Sequence, residues 1–559
     1  MSATTGRRFI SLTPRLVRVG VSKVAKHSAL GGRVPFFQHK TRLFWYNAPM
    51  NQSRYRSNFV VPRGGASTEN PIKQKKYRVF LAVGSNLGDR FQNIAVALDL
   101  LCDSSFDKSS YLDSRLVRTS FLYSTAPMYV TDQPQFMNGA VEVETDLEPR
   151  ALLRRLKKVE EYLGRDLVHG QRNGPRPVDL DILFFDENHS EDATSGAPTR
   201  HSHRTPVIVN EPDLIIPHPL MQERSFVMDP LKEVAGDEYI HPKLEESVGD
   251  IWRKLKASAS DGNDTVQILP LQRDRAVTFH ETIVMGILNV TPDSFSDGGK
   301  WNNSVDTAVE HALQMETEGA RIIDIGGEST RPGALEISIE EQIERTVPVI
   351  KVIRQKSDIP ISIDTRHADV ARAAIEAGAD IVNDVSGGTF DPKMLETVAE
   401  LRVPMILMHM RGTPESMQSM TKYENDDVCG AVTGALIERS CAAESNGIHR
   451  WQQVLDPGIG FAKDNEGNLR LLKHTATSMR QQLQGIPLLL GTSRKGFIGR
   501  ITGESEASER DFGSVASVIC ALCLGSPTPS NLGCTILRVH NVKGTKQATL
   551  VMDAISKVD

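Results

Sequence analysis

The segment Val178-Asp179-Leu180-Asp181 sets two carboxylates two residues apart in a run of β character. Alternation along a strand puts both on one face. Two close carboxylates repel, and one pKa rises unless a cation lies between them. Hard oxygen ligands with room for water suit Mg²⁺ bridging phosphates. Taken alone, the pair reads equally well as a solvent-facing acidic couple. Around it stand Arg165, Arg172 and Arg176, with the rigid Gly174-Pro175 just before Arg176. Cations beside a metal pair fit an anionic, phosphoryl-transfer site. A Walker A loop is absent from the sequence, so this is not a P-loop enzyme.

A second polar set is spread over the C-terminal half: Asn289, Asp324, Asp364, Asn383, Asp456, Lys495, Arg538 and His540. These residues sit at or near the ends of short apolar runs. The runs are IVMGILN (283–289), RIIDIGGEST (321–330), ISIDT (361–365), IVND (381–384), PMILMHM (404–410), WQQVLDPG (451–458), PLLLGTSRK (487–495) and ILRVHN (536–541). Segments of helical pattern such as VDTAVEHALQMETEG and HADVARAAIEAGA lie between them. Eight βα units predict a (β/α)₈ TIM barrel, whose active site lies at the C-terminal ends of the strands. The loops GILNVTPDSFSDGG (286–299) and GGESTRPGA (326–334) leave the first two strands and are rich enough in Gly, Ser and Pro to act as lids. Each loop alone is an ordinary βα connection. His409 also ends a strand, but a barrel-lining His is more often structural, so it stays outside the expected site.

Upstream, KYRVFLAVGSNLGDR reads as a strand, a turn and a helix start, and NIAVALDLLCD as an amphipathic helix. SFLYSTAPM and QFMNGAVEVETD read as strands, PRALLRRLKKVEEYLGR as a helix and VDLDILFFD as a further strand. This βαββαβ order predicts an α+β, ferredoxin-like layer. The stretch at 186–205 is a long polar loop, and ASASDGNDT (257–265) has linker composition. The expected organisation is a transit segment and linker over 1–75, an α+β domain over 76–257, a linker over 258–277 and the barrel over 278–559.

Several ordered motifs carry a family resemblance. VGSNLGDR, YSTAPM, DQPQFMNGAV, GPRPVDLDIL and IPHPLMQERSF together resemble 6-hydroxymethyl-7,8-dihydropterin pyrophosphokinase. The resemblance implies that Asp179 and Asp181 hold two Mg²⁺ between ATP and the pterin hydroxymethyl group, while Arg165 and Arg176 steady the transferring pyrophosphoryl group. It implies a pterin pocket of Thr125, Pro127, Phe136, Asn138 and Phe226, and an ATP side that includes Glu160, His218 and Arg224. The chemistry agrees: two phenyl rings can sandwich a flat ring, and an Asn offers its edge a donor and an acceptor. Asn173 departs from the bacterial pattern, which often has Trp before Gly-Pro-Arg, so that loop is expected to close differently.

The two barrel loops, with LDPGIGF, GTSRKGF and RVHNV, resemble dihydropteroate synthase. The implied pterin site is Asp364, Asn383, Asp456, Lys495 and Arg538. Asp456 would accept from the guanidine-like ring edge, Lys495 would donate to the pterin carbonyl, and Arg538 would stack on the ring. His540, with Arg331 or Arg538, would hold pyrophosphate, and Asn289 would contact one Mg²⁺ on that anion. Phe295, Thr330, Arg331 and Pro332 are the loop residues expected at the p-aminobenzoate. The implied reaction needs leaving-group stabilisation and positioning, and no Ser or Cys nucleophile. The loop GSPTPSNLG (525–533) is longer than expected for the family and should lie at the bottom of the barrel.

The order of the two domains resembles the plant mitochondrial fusion of these activities. Residues 1–68 hold 12 Lys or Arg and no acid. In RLVRVGVSKVAKH, Arg15, Arg18, Lys23 and Lys26 oppose Val17, Val21 and Val24 on a helix, which is an organellar transit pattern. Mitochondrial matrix is the expected compartment, with a plastid as the alternative. With that segment removed, the rest is acidic, which excludes a bulk basic field for nucleic acid. No apolar stretch approaches the roughly 20 residues that span a bilayer. The Cys520-x-x-Cys523 pair lies in an apolar helical pattern without a second pair, so neither metal nor redox chemistry is expected there. Small molecules (hydroxymethyldihydropterin, ATP and p-aminobenzoate) are the expected partners, with homo-oligomerisation through the barrel. A pterin-binding methyltransferase barrel would not need the Lys495, Arg538 and His540 set. A scaffold with dead sites would not keep the carboxylates and cations intact.

Overall fold

The computed structural model describes residues 76–106, 114–188, 204–258, 265–290, 301–328, 336–413, 415–524, 535–556 and 558. The expected transit segment and linker over 1–75, most of the 186–205 loop and the 525–533 loop lie outside the described residues.

The N-terminal domain runs β1 (Tyr77–Ser85), α1 (Arg90–Cys102), β2 (Ser114–Thr119), β3 (Leu122–Thr125), β4 (Phe136–Thr145), α2 (Pro149–Tyr162) and β5 (Asp179–Asn188). After these come β6 (Arg204–Pro206), the small hairpin β7 (Val209–Glu211) and β8 (Leu214–Ile216), then α3 (Ser225–Ala235) and α4 (Val248–Ser258). The central strand β1 is antiparallel to both β4 and β5. Its alternation sorts two cores. Val79, Leu81 and Val83 join the stripes Ile94–Leu98–Leu101 of α1 and Leu152–Leu156–Val159 of α2. Phe80 points the other way, to Met228 and Leu231 of α3 and Ile251 of α4. Helix α1 starts where Asp89 accepts from the Gln92 N–H at 3.1 Å, and Pro149 opens α2.

The expected linker at 258–277 instead carries two strands, β9 (Val266–Leu271) and β10 (Arg275–Thr278). Strand β9 pairs with β3, which extends the N-terminal sheet to the order β10-β9-β3-β4-β1-β5-β6, with β2 also on β4. Short strands in a polar context lack a periodic signal of their own; here they are stabilised by what they plug. Leu269, Leu271, Val277 and Phe279 cluster with Ile283, Ile322, Ile381, Ile406, Val454, Leu489 and Ile536, the N-terminal interior of the barrel.

That barrel is closed and parallel. It runs β11 (Ile283–Asn289), α5 (Trp301–Thr317), β12 (Ile322–Gly326), α6 (Ile339–Lys356), β13 (Ile361–Asp364), α7 (Ala368–Ala377), β14 (Ile381–Asp384), α8 (Met394–Leu401), β15 (Met405–Met408) and α9 (Val428–Ser445). It continues with β16 (Gln453–Asp456), α10 (Asn465–His474), a π turn, α11 (Arg480–Gln482), β17 (Leu488–Leu490), α12 (Gly496–Thr502), α13 (Asp511–Cys523), β18 (Thr535–Val539) and α14 (Val542–Ser556). Helices on the outside and packed side chains within bury these strands on both faces, as a parallel sheet requires.

Several contacts among the described residues lock the domains together. Asp380 at the barrel bottom is fully buried and meets Arg273 at 3.1 Å, Arg354 at 2.7 Å and Arg275. Arg90 of α1 reaches Asp274 in the β9–β10 turn at 2.6 Å. Phe121 joins the barrel's hydrophobic cluster, while Trp451 of the barrel joins that of the N-terminal domain. Among the described residues no helix is long and apolar enough to cross a membrane.

Candidate active sites

In the N-terminal sheet, Gly84 is the cross-strand partner of both Asn138 and Asp179, and Ala82 of both Ala140 and Asp181. Partners in register share a face. Two small residues on β1 therefore leave a trough, with Asn138 on one bank and the carboxylates on the other. Helix α3 closes it from above with Phe226. The resulting cleft, open to solvent, is walled by Thr125, Phe136, Asn138, Arg176, Asp179, Asp181, His218, Arg224 and Phe226. Pro127 lies between two wall residues, Ala126 and Met128, without lining the cleft itself. Asn138 donates to Thr125 Oγ1 at 2.7 Å, which fixes its amide.

Asp179 is gripped by Arg176 at 2.8 Å and by Arg165. These arginines hold its carboxyl below the usual range against the opposing effect of burial. Asp181 is pushed up to about 6, chiefly by the charge of Asp179 and then by burial. Glu160 is fully buried behind the pair; it meets Arg165 and Lys157 at 2.9 Å each and accepts from the Leu180 N–H at 2.9 Å. Its place is thus under the wall and beside Arg165. His218 is held down to about 4 by burial and by Arg224, and so is neutral at pH 7. Arg224 donates to Tyr129 Oη at 3.0 Å, with its guanidinium 5.8 Å from the Phe226 ring centre. Asn173 takes φ 60°, a left-handed conformation that Asn tolerates, and its carbonyl accepts from Gln133 at 3.0 Å. Arg172 is exposed.

At the C-terminal end of the barrel, Arg538 spans two strands. Its Nε lies 2.6 Å from Asp324 and its Nη2 2.7 Å from Asp364. Asn383 donates to Asp324 at 3.2 Å. Gly326 sits between Asn289 and Asp364; a Cβ there would stand 3.6 Å from Asp364 Cβ and 3.9 Å from Asn289 Oδ1. Burial pushes Asp364 up to about 7, opposed by Arg538 and aided by Asp324. Asp456 accepts from the Gly458 N–H at 2.7 Å, and burial raises its pKa against the pull of Lys495. Lys495 is lowered to about 8 by burial, opposed by Asp456. His540 pairs through Nδ1 with Ser493 Oγ at 2.9 Å. Phe295, Thr330, Arg331 and Pro332 lie outside the described residues.

The expected residues at the strand ends are thus brought to one face of the barrel. Strand-end position had marked Asp324, yet it went unassigned; its hydrogen bonds make it the pivot of the network. Nothing in the local sequence marks Lys157 or Tyr129, and Gln133 and Ser493, though inside quoted motifs, went unassigned; all four meet the site through tertiary contacts.

Residues 80–236 match the family described as 7,8-dihydro-6-hydroxymethylpterin-pyrophosphokinase, and residues 285–540 match that described as pterin binding enzyme. A folate synthesis bifunctional protein of Arabidopsis thaliana is 41% identical over 499 residues, covering 85% of this chain and 96% of that protein. The mitochondrial folate synthesis bifunctional protein of the same plant is 38% identical over 579 residues, covering 98% of this chain and 96% of its own length. That of Pisum sativum, also named mitochondrial, is 38% identical over 505 residues, covering 87% and 91%. The chain belongs to the bifunctional folate synthesis family. Its N-terminal domain is the pyrophosphokinase and its barrel is the dihydropteroate synthase.

Proposed function

We propose that the kinase reaction takes place over the trough formed by Asn138, Gly84 and Asp179. The observation that carries this is the register: one glycine separates a pinned amide from a metal-type carboxylate pair. Phe136 and Phe226 hold the pterin between them, and Asn138 reads its edge. The hydroxymethyl oxygen bonds to the β-phosphorus of ATP, the bond from that phosphorus to the α-phosphate oxygen breaks, AMP leaves and the hydroxyl proton is lost. Arg165 and Arg176 stabilise the charge on the transferring group, and Glu160 holds Arg165 in place. His218 and Arg224 face the nucleotide. The residues fit a divalent cation, because Asp181 carries a carboxyl that Asp179 drives toward protonation. Asp179 and Asp181 would hold two Mg²⁺, which when bound offset phosphate charge.

In the synthase, the p-aminobenzoate nitrogen bonds to the pterin methylene carbon, the carbon–oxygen bond to pyrophosphate breaks, and the amine loses a proton. Asp456 and Asn383 accept and complement the ring edge, Asp364 binds its other side and Lys495 donates to the carbonyl. Arg538 and His540 face the departing anion. Asn289 would offer one neutral oxygen to a single Mg²⁺, which when bound would offset charge on the leaving anion. Phe295, Thr330, Arg331 and Pro332 would frame the arylamine.

Assaying each half-reaction separately tests the assignment. Asp179→Asn and Asp181→Asn should abolish pyrophosphate transfer and leave the synthase near normal when pterin pyrophosphate is supplied. Kinase activity retained by both variants would sink the metal assignment.

The acid-free N-terminus and the mitochondrial names of the Arabidopsis and pea relatives support import into the mitochondrial matrix. N-terminal sequencing of the organelle protein decides it: an intact Met1 contradicts import. Phe512, Leu550, Val551 and Ile555 on α13 and α14 are 51–91% exposed and apolar, which supports a homo-oligomer through the barrel. Sedimentation of the full chain as a monomer at micromolar concentration would refute it.

A further inference from the structure

Beside Asp456 and the half-buried Lys495 lies a buried amine, which the reactions above leave unused. Lys463 is 3% exposed and ends the turn that follows β16. Its Nζ is 3.0 Å from His409 Nδ1, 2.8 Å from the Phe461 carbonyl and 3.4 Å from the His409 carbonyl. His409 is equally buried, and its N–H donates to the Asp456 carbonyl at 2.8 Å. One amine thus ties the end of β15 to the turn after β16. That turn is tight: Gly458 and Gly460 take φ 67° and 85°. A Cβ on Gly458 would fall 2.0 Å from the His409 carbonyl oxygen, and one on Gly460 2.9 Å from Lys495 Cδ. The turn is also the seat of Lys495, whose Nζ donates to the Ile459 carbonyl and lies 4.5 Å from the Phe461 ring centre.

We propose that Lys463 is a positioning residue of the synthase reaction, which ties His409 to the Phe461 carbonyl and so fixes the turn that holds Lys495 beside Asp456. The clasp needs hydrogen-bond donors and no charge. Burial keeps Lys463 well below its ordinary pKa; Asp456 opposes this, while Lys495, Arg439 and Arg411 add to it. His409, facing Lys463, Arg439 and Arg411, is held down to about 2, first by burial. Lys495 is therefore the cation of this corner; the charged groups facing it are Asp456, Arg538 and Asp364. Losing the clasp releases Lys495 from its half-buried seat further toward solvent, where its pKa rises to the ordinary range.

The inference rests on the assignment of Asp456 and Lys495 to the pterin. The test compares Lys463→Met, which has no donor, with Lys463→Gln, which keeps a neutral one, in the full chain. Synthase kcat and KM are measured across pH with pterin pyrophosphate supplied, beside the kinase half-reaction and the melting temperature. Lys463→Met should lower synthase kcat by about 10- to 100-fold, as expected of a misplaced catalytic group. The basic limb of its profile should move to higher pH, and the kinase half-reaction should be unchanged. Lys463→Gln should stay within a few-fold of the native chain. Equal losses in the two variants, or a loss with the basic limb unmoved, overturn the proposal, since a merely structural role does not shift a protonation. If Lys463→Met fails to fold, His409→Leu removes the other side of the clasp: the same loss and shift support the proposal, and normal turnover overturns it. Lys495→Ala, run alongside, separates the two ideas. Normal turnover there sinks the pterin-site assignment and this inference with it, whereas a dead Lys495→Ala beside an unaltered Lys463→Met sinks only the role of Lys463.

Discussion

Gly84 and Asn138 face each other across β1 and β4 so closely that a methyl group on the glycine would stand 2.5 Å from Asn138 Oδ1. Asn138 has little room to retreat, because its amide donates to Thr125 Oγ1 at 2.7 Å. Overpacking of this kind costs about 1–3 kcal/mol. Gly84→Ala should therefore raise the kinase KM for hydroxymethyldihydropterin about 10-fold or more, with the synthase half-reaction intact. Steady-state kinetics of the first half-reaction check it; an unchanged pterin KM contradicts the trough.

Arg538 uses two separate nitrogens for two buried carboxylates, Asp324 and Asp364. A lysine at that position satisfies one of them at a time. Leaving a buried charge unpaired costs roughly 3–5 kcal/mol. Arg538→Lys should lower synthase kcat/KM by at least about 100-fold and reduce the melting temperature, while the kinase half-reaction persists. Synthase turnover within a few-fold of the native chain would show that the fork is dispensable.

Lys495 titrates near 8, first through burial, with Asp456 opposing and Arg538 adding. Its protonated form is the stronger donor to the pterin carbonyl, because the hydrogen bond is then charge-assisted. Synthase kcat/KM for the pterin pyrophosphate should accordingly fall as pH rises through about 8. A profile that stays flat to about pH 10, where an ordinary lysine titrates, rules this group out as the donor.

Glu233 on α3 accepts from the Phe121 N–H at 2.7 Å and from Tyr123, with Arg450 of the barrel facing it. Burial pushes its carboxyl from 4.5 up to about 7, against the pull of those partners. A folded value above the unfolded one means that this contribution to stability is complete below about 4.5 and is lost as pH rises through about 7. Glu233→Gln keeps an acceptor and removes the titration. Relative to the native chain, its melting temperature should rise on the order of a few degrees between about pH 5 and pH 8. A difference between the two chains that does not vary with pH contradicts the account.

The sequence by itself determined the eightfold alternation that became the barrel, the order of the first domain apart from β2, which the structure adds between α1 and β3, and the carboxylate pair of β5. It also marked the strand-end positions of Asp364, Asn383, Asp456, Lys495 and Arg538. All of these are written in local periodicity, with a period of two in strands and a return to one face every three or four residues in helices. Only the tertiary structure decided that 258–277 is a hairpin plugging the barrel, because its short strands gain stability from a core they do not contain. Only the fold buried Glu160 behind Arg165 and made Lys463 and His409 a pair. The same is true of Asp324 and Arg538, 214 residues apart along the chain, which meet because the closed barrel places β12 and β18 on either side of β11. No local pattern records such a meeting; burial and the need to pair buried charge select it once the chain has closed.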